Sequence, residues 1–275
     1  MPELPELVVM ARQMKHAITG KIVADITSLQ PKSLNMRPDE MCMALSGRRV
    51  GEITNKGKWL ILPMEPEQTL LINLGMGADL VYHDTPEHVP PKYQFRMDFT
   101  DDTGFTIRFW WFGHVHLVPT DQLASHKMTC DLGPSPLDPE FTPEAFHELL
   151  RSARGKVKSF LLDQRRIAGV GNAYAHDILF KAKIHPDRAI PSLTPEESDA
   201  LYASVRDVLN ASIVGGGAYY EKDFYGRPGG YAAENWIVGY REGTPCPVCG
   251  TIINKIKTGS TSSYVCPACQ PRYVG

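Results

Sequence analysis

Four cysteines constrain the end of this chain more than any other feature: Cys246-Pro-Val-Cys249 and Cys266-Pro-Ala-Cys269, with sixteen residues between the pairs. Each Cys-x-x-Cys turn lets two thiolates reach one ion, and two such turns close a tetrahedral shell. The spacing predicts a finger over residues 241–275 holding one structural Zn²⁺, with Cys246, Cys249, Cys266 and Cys269 as its ligands. Thr251–Ile256 and Ser263–Val265 read as the strands of its hairpin. Four protein ligands leave no open position for catalysis, so the metal holds up a loop. Cys42 and Cys130 stand alone and read as buried apolar residues.

The remaining organisation follows from periodicity and punctuation. Residues 1–130 open with a helical stretch, Leu4–Ile18, ended by Gly20. Short strand-like runs follow at Lys21–Ile26, Arg49–Ile53, Trp59–Leu62, Leu70–Asn73, Asp79–Tyr82, Gln94–Phe99, Phe105–Phe109 and Val115–Val118, a spacing that predicts a β-sandwich or barrel. After a proline-rich linker near residues 131–140, helical patterns run from Pro143 to about Val214, with Thr142 and Thr194 as N-caps. This helical domain occupies 131–240, and residues 220–230 read as a mobile loop within it. The fold class is therefore α+β. No run of about 18 apolar residues exists to span a membrane, and acid replaces base at the N-terminus, unlike a secretory signal. The expectation is a cytoplasmic monomer.

The net charge of -2 argues weakly for a nucleic-acid binder, but its distribution argues better. Nine basic residues lie between Arg151 and Ile190, Lys158 among them, against three acids, Asp163, Asp177 and Asp187. From Cys246 onward there are Lys255, Lys257 and Arg272 and no acid. A local basic surface can track a phosphate backbone. Charge alone does not separate that reading from solvated helix faces.

The start of the chain is Met1-Pro2-Glu3-Leu4-Pro5-Glu6. With Met1 removed, Pro2 would carry a secondary amine able to attack a sugar C1′ and form an iminium, and Glu3 could shuttle protons. Taken alone, Pro2 and Glu3 suit the start of any helix. Taken with Asp163-Gln-Arg-Arg-Ile-Ala-Gly-Val-Gly-Asn-Ala-Tyr-Ala175, with Ile184-His-Pro-Asp-Arg188 and with the finger, they closely resemble the formamidopyrimidine-DNA glycosylase / endonuclease VIII family, over essentially the whole chain. Gly169-Val-Gly-Asn172 resembles its helix–two-turn–helix motif, Leu74-Gly-Met-Gly77 the loop carrying an intercalating residue, and Lys58 its phosphate-binding lysine. The resemblance implies a bifunctional glycosylase and abasic-site lyase acting on damaged double-stranded DNA. Pro2 would be the nucleophile, Glu3 the acid, and Lys58 and Asn172 would hold the phosphates flanking the lesion. Met76 would fill the gap left by the flipped base; Phe112, Trp111 and Lys158 complete the expected DNA contacts.

Two departures qualify that picture. Where the family has Asp-Pro-Arg-Arg-Phe-Gly, this chain has Arg108-Phe-Trp-Trp-Phe-Gly113. Trp111 thus replaces the second arginine, which would contact the orphaned base; Phe112 keeps the wedge position. At the hairpin tip Thr261 stands where the family places a phosphate-gripping arginine. These losses open a rival reading, a non-catalytic DNA-damage binder on the same scaffold, which retention of Pro2, Glu3 and Lys58 disfavours. A generic zinc-ribbon DNA-binding protein would have no use for Pro2-Glu3. His114-x-His116 faces one side of a strand, but the sequence shows no third ligand.

Overall fold

The computed structural model describes residues 1–272. The chain packs as two compact units, one built from Met1–Asp131 and Gly215–Gly230, the other from Leu132–Val214 and the chain from Tyr231 onward. Among the described residues no helix is long and apolar enough to cross a membrane.

In the first unit, α1 spans Leu4–Ile18. The Glu6 carboxylate accepts from the Glu3 amide at 2.8 Å, satisfying a donor that the first turn leaves open. Leu4, Leu7, Met10, Ala11, Met14 and Ile18 recur at helical spacing and are buried. Gly20, at φ +85°, turns the chain out of the helix. Strand β1 (Val23–Ser28) and helix α2 (Pro38–Leu45) follow. Next come β2 (Arg49–Val50), β3 (Thr54–Lys56), β4 (Trp59–Glu65), β5 (Gln68–Asn73), β6 (Ala78–His83), β7 (Phe95–Phe99), β8 (Gly104–Phe109) and β9 (His114–Pro119). One antiparallel sheet runs β1-β7-β8-β6. The other runs β2-β4-β5-β9, with β3 on β4. Phe95, Met97, Phe105 and Ile107 from the first share a core with Leu60, Leu62, Leu70 and Ile72 from the second. Burying each is worth about 1.5–3 kcal/mol.

Three expectations change here. Cys130 is exposed and Cys42 only half-buried; the Cys42 thiol donates to Asp25 Oδ1 at 3.1 Å. Helix α2 was hidden from periodicity by its eight-residue length. The segment expected to be a mobile loop is anchored: Phe224 is a fully buried member of the sandwich core, its carbonyl accepts from the Tyr82 amide at 2.8 Å, and its amide donates to Gln13 Oε1 at 2.9 Å.

In the second unit, helices α3 (Pro143–Arg151), α4 (Val157–Leu162), α5 (Asn172–Lys181) and α6 (Pro195–Val214) precede the hairpin β10 (Asn254–Thr258) and β11 (Thr261–Val265). Thr142 Oγ1 accepts from Ala145 N at 3.3 Å. Thr194 and Glu197 exchange hydrogen bonds in a capping box ahead of α6. Phe180, Val238 and Ile253 pack around Cys246 and Cys266, giving the finger a small core of its own.

Candidate active site and nucleic-acid interface

The N-terminal residues are fixed from within the sandwich unit. Pro2 is buried and Glu3 is 2% exposed. Glu6 holds both ends of this corner: one oxygen takes the Glu3 amide, the other takes the Ala218 amide at 2.9 Å. Ala218 follows Gly217, whose φ of +83° sets its backbone against the Glu6 side chain.

Lys58 lies in the β3–β4 turn, half-exposed. Asn73, at the end of β5, donates to the Lys58 carbonyl at 3.0 Å and accepts from the Gly75 amide at 3.0 Å. One amide side chain thus ties the lysine's turn to the loop of Met76. That loop interlocks with the β8–β9 loop. The Trp110 amide donates to the Gly77 carbonyl at 2.9 Å. A Cβ on Gly75 would overlap the Phe112 carbonyl, and one on Gly77 would press on the Trp110 ring. The two glycines are therefore required by close approach. Met76, Trp110, Trp111 and Phe112 stand 60–70% exposed. Four large apolar side chains displayed on two interlocked loops are a binding surface rather than ordinary surface scatter.

In the helical unit, Gln164 builds the turn before α5. Its amide donates to the Val170 carbonyl at 2.7 Å and its oxygen accepts from Gly169 N at 2.9 Å. Asn172 then opens α5, where free backbone N–H groups favour an anion. Its Nδ2 lies 3.4 Å from His176 Nε2, and among the described residues its Oδ1 has no partner. Lys158, expected to contact DNA from an open basic surface, is only 3% exposed. Its ammonium donates to Thr258 Oγ1 (2.9 Å), Thr261 Oγ1 (2.9 Å), the Ser262 carbonyl (2.7 Å) and Ser263 Oγ (2.8 Å). Burial pushes its pKa down to about 8. Thr261, read as a lost charge, is thus part of a hydroxyl cage that brings Lys158 beneath the hairpin tip. Asp177 accepts from the amides of Ile237, Val238 and Gly239 at 2.8–2.9 Å, fixing α5 to the chain that enters the finger.

The four cysteine sulfurs lie within 4.8 Å of one another, with Cys249–Cys266 at 3.4 Å, Cys249–Cys269 at 3.6 Å and Cys246–Cys269 at 3.9 Å. A tetrahedron with Zn–S bonds near 2.3 Å has edges of roughly 3.8 Å. The donors fit one zinc ion with no open position, and the metal's role is structural.

Three family models cover most of the chain: the formamidopyrimidine-DNA glycosylase N-terminal domain over residues 1–110, the same family's H2TH domain over 132–222, and the zinc finger found in FPG and IleRS over 243–272. The formamidopyrimidine-DNA glycosylase of Chloroflexus aurantiacus is 37% identical, with 98% of each chain covered. The chain belongs to the formamidopyrimidine-DNA glycosylase family. The Bacillus cereus family member is 33% identical over 99% of this chain and 100% of its own. Among solved structures, Lactococcus lactis Fpg complexed with DNA containing an abasic site superposes with a TM-score of 0.91 at 28% identity, covering 98% of this chain and 100% of that one. The same protein bound to N7-benzyl-Fapy-dG DNA matches equally well.

Within the sandwich unit the structure sets Pro2 beside Glu3, and it joins Lys58, Met76, Trp111 and Phe112 through Asn73 and the paired loops. Within the helical unit it sets Lys158 at Thr261. Sequence reasoning missed Asn73, Gln164, Glu6 and Trp110. Trp110 had a signal, since it occupies the family's other arginine position. The histidine pair gains a third member: His116 Nδ1 lies 3.0 Å from His126 Nε2, and Trp59 packs against His114, His116 and His126. Burial lowers all three pKa values, that of His116 to about 4. His116 and His126 form a hydrogen-bonded pair with the His114 ring against it, and burial favours the neutral form of each. Among the described residues, only the four cysteines come close enough together to hold a metal ion.

Proposed function

We propose that this family member excises oxidised or ring-opened bases from duplex DNA and then cleaves the resulting abasic site, with Pro2 as nucleophile in the Met1-free form. The observation that carries the reading is a proline at position 2, buried beside Glu3 at the head of α1, in a chain of this family. Structures of the Lactococcus lactis relative with abasic-site DNA, N7-benzyl-Fapy-dG DNA and oxidised-pyrimidine DNA support the lesion class.

The damaged nucleotide is extruded, and Met76, Phe112 and Trp111 enter the space it leaves. Pro2 attacks C1′ as the base departs, Glu3 protonates the sugar ring oxygen, and the iminium loses the flanking phosphates by successive eliminations. Lys58 and Asn172 hold those phosphates, and Lys158 adds charge beneath the hairpin tip. The zinc ion supports the hairpin and takes no part in the chemistry. The site of action is the cytoplasm.

Trp111 and Thr261 in place of the family's arginines favour a second reading, a damage-binding protein with little turnover. Borohydride trapping separates the two, because only an iminium becomes covalently attached to DNA. Wild type is expected to trap on abasic-site duplex, with the adduct on residue 2 by mass spectrometry. Pro2→Gly is expected to lose most excision and trapping while still binding abasic DNA. An adduct on Lys58, or no adduct at all, overturns the assignment.

A further inference from the structure

One carboxylate near the nucleophile has no role in the chemistry described so far. The terminal ammonium of Met1 donates to Glu221 Oε1 at 2.7 Å. Glu221 is only 12% exposed, and its position does not depend on Met1. The segment that carries it is anchored on both sides, by Ala218 N on Glu6 and by Phe224 in the core. Gln13 Nε2 adds a hydrogen bond to Asp223 Oδ2 at 2.9 Å. The charged groups around Glu221 are mostly acids. Glu3 and Asp79 are close enough to act on its carboxyl, and Asp79 is paired with Lys222 at 3.2 Å. Glu6 is engaged with two backbone amides. The cation that Glu221 holds is the chain's own amine.

Removing Met1 transfers that amine to Pro2, a shift of at most about 3.8 Å along the backbone. The carboxylate stays where its anchors hold it. We propose that Glu221 is the counter-charge of the N-terminal nitrogen: it stabilises Pro2 as an ammonium in the resting protein and faces the cationic iminium after attack. The inference rests on the function proposed above. In that reaction the ammonium first gives a proton to solvent, and the neutral Pro2 nitrogen then forms a bond to C1′ while the glycosidic bond breaks. The base leaves with the electron pair and takes a proton from water. The nitrogen releases its own proton to solvent. Its lone pair then expels O4′, which takes a proton from Glu3, leaving N⁺=C1′. The positive charge thus begins and ends on one atom. A fixed negative group near that atom stabilises both states without having to reorganise. Burial, then the nearby Glu3 and Asp79, push the Glu221 carboxyl above its ordinary range, and the amine opposes them; the site is built to need a cation.

The test uses Met1-free protein, verified by mass, as wild type, Glu221→Gln and Glu221→Asp. The first measurement needs no DNA: the pH dependence of acylation of the residue-2 amine by acetic anhydride. Loss of the carboxylate is expected to lower the amine's titration midpoint by about one pH unit, with recovery in Glu221→Asp. The second is single-turnover borohydride trapping on abasic-site duplex between pH 5.5 and 9. In Glu221→Gln the acid limb should move down with the amine while the plateau rate falls about tenfold. This opposed pair of changes is not one that loosened packing would produce. An amine midpoint equal in wild type and Glu221→Gln overturns the proposal, and an unchanged plateau overturns its iminium half. A wild type that traps nothing, with the amine midpoint still shifted, refutes the proposed function and leaves the Glu221 pairing standing.

Discussion

Restoring the family's arginine at the hairpin tip should restore only part of its effect, because Lys158 already supplies charge there. Thr261 Oγ1 lies 2.9 Å from the Lys158 ammonium. A guanidinium held within about 5 Å of that ammonium would meet a repulsion of roughly 3 kcal/mol at an effective dielectric near 20. A flexible stem reaching toward solvent reduces this to about 1–2 kcal/mol. Each pKa unit is worth about 1.4 kcal/mol, so Lys158, already down to about 8, falls by about one further unit. At pH 8 Lys158, half charged in wild type, is then nearly neutral, so the pair gains about half a charge rather than a whole one. The assay is the affinity for an abasic-analogue duplex across 50–200 mM salt, at pH 8, with zinc content verified. One neutralised phosphate contributes about 0.9 to the slope of log K against log salt. Thr261→Arg alone should steepen the slope by only about 0.5, little more than half of that unit. Lys158→Met should flatten it by about 0.45, and Thr261→Arg in the Lys158→Met background should steepen it by the full unit of about 0.9. Equal steepening in both backgrounds, with affinities additive within about 0.3–0.5 kcal/mol, would falsify the view that Lys158 and Thr261 form one phosphate-facing unit.

The other predictions address different parts of the chain. Cys249→Ser, or chelation, should weaken DNA binding at least tenfold and leave the urea transition of the sandwich unit in place, since zinc supplies folding energy to the finger alone; a single cooperative loss of all structure contradicts this. Single-turnover excision of one lesion opposite each of the four bases should show weak dependence on the opposite base, because stacking by Trp111 is sequence-tolerant. Trp111→Arg should introduce about 1–3 kcal/mol of preference, and a hundredfold preference already present in wild type sinks the stacking account. The His116 cluster should make the sandwich unit acid-sensitive. With its folded pKa pushed down to about 4, the unfolded chain takes up the proton first. Stability present above pH 6.5 is therefore lost as pH falls toward 4, by up to about 3 kcal/mol. Urea midpoints at pH 7 and 4.5 should converge in His116→Gln relative to wild type.

How much of this was legible in the sequence depends on how local each interaction is. Helix α1, the Thr142 cap and the two Cys-x-x-Cys turns are set by residues within a few positions of one another, and their patterns are readable directly. The exposure of Met76 followed from its flanking glycines. The partners of Lys158 lie about a hundred residues further on, so charge counting along the chain could not show that its ammonium is caged. His126 joins His116 across ten residues at no regular spacing. Asn73 looks like any strand-end polar residue until β4 and β5 pair and bring the Lys58 carbonyl to it. Residues 220–230 are rich in glycine and polar side chains, the composition of a loop. One buried phenylalanine decides their placement, and composition cannot weigh a single side chain.

The return of Gly215–Gly230 to the first unit has a consequence for the order in which this chain becomes competent. A fragment ending at Asp131 contains all nine sandwich strands but lacks Phe224, whose ring packs near Tyr82 and Phe105. An unfilled site of that size costs about 3–5 kcal/mol, a large share of a small domain's net stability. During synthesis the sandwich therefore waits, with its core unsealed, until the helical segments have already left the ribosome. Among the first residues made, Met1 and Glu6 find their partners Glu221 and Ala218 more than two hundred residues later. The head of α1 thus stays without these partners until α3–α6 have been made, and expressing either unit alone would break that sequence.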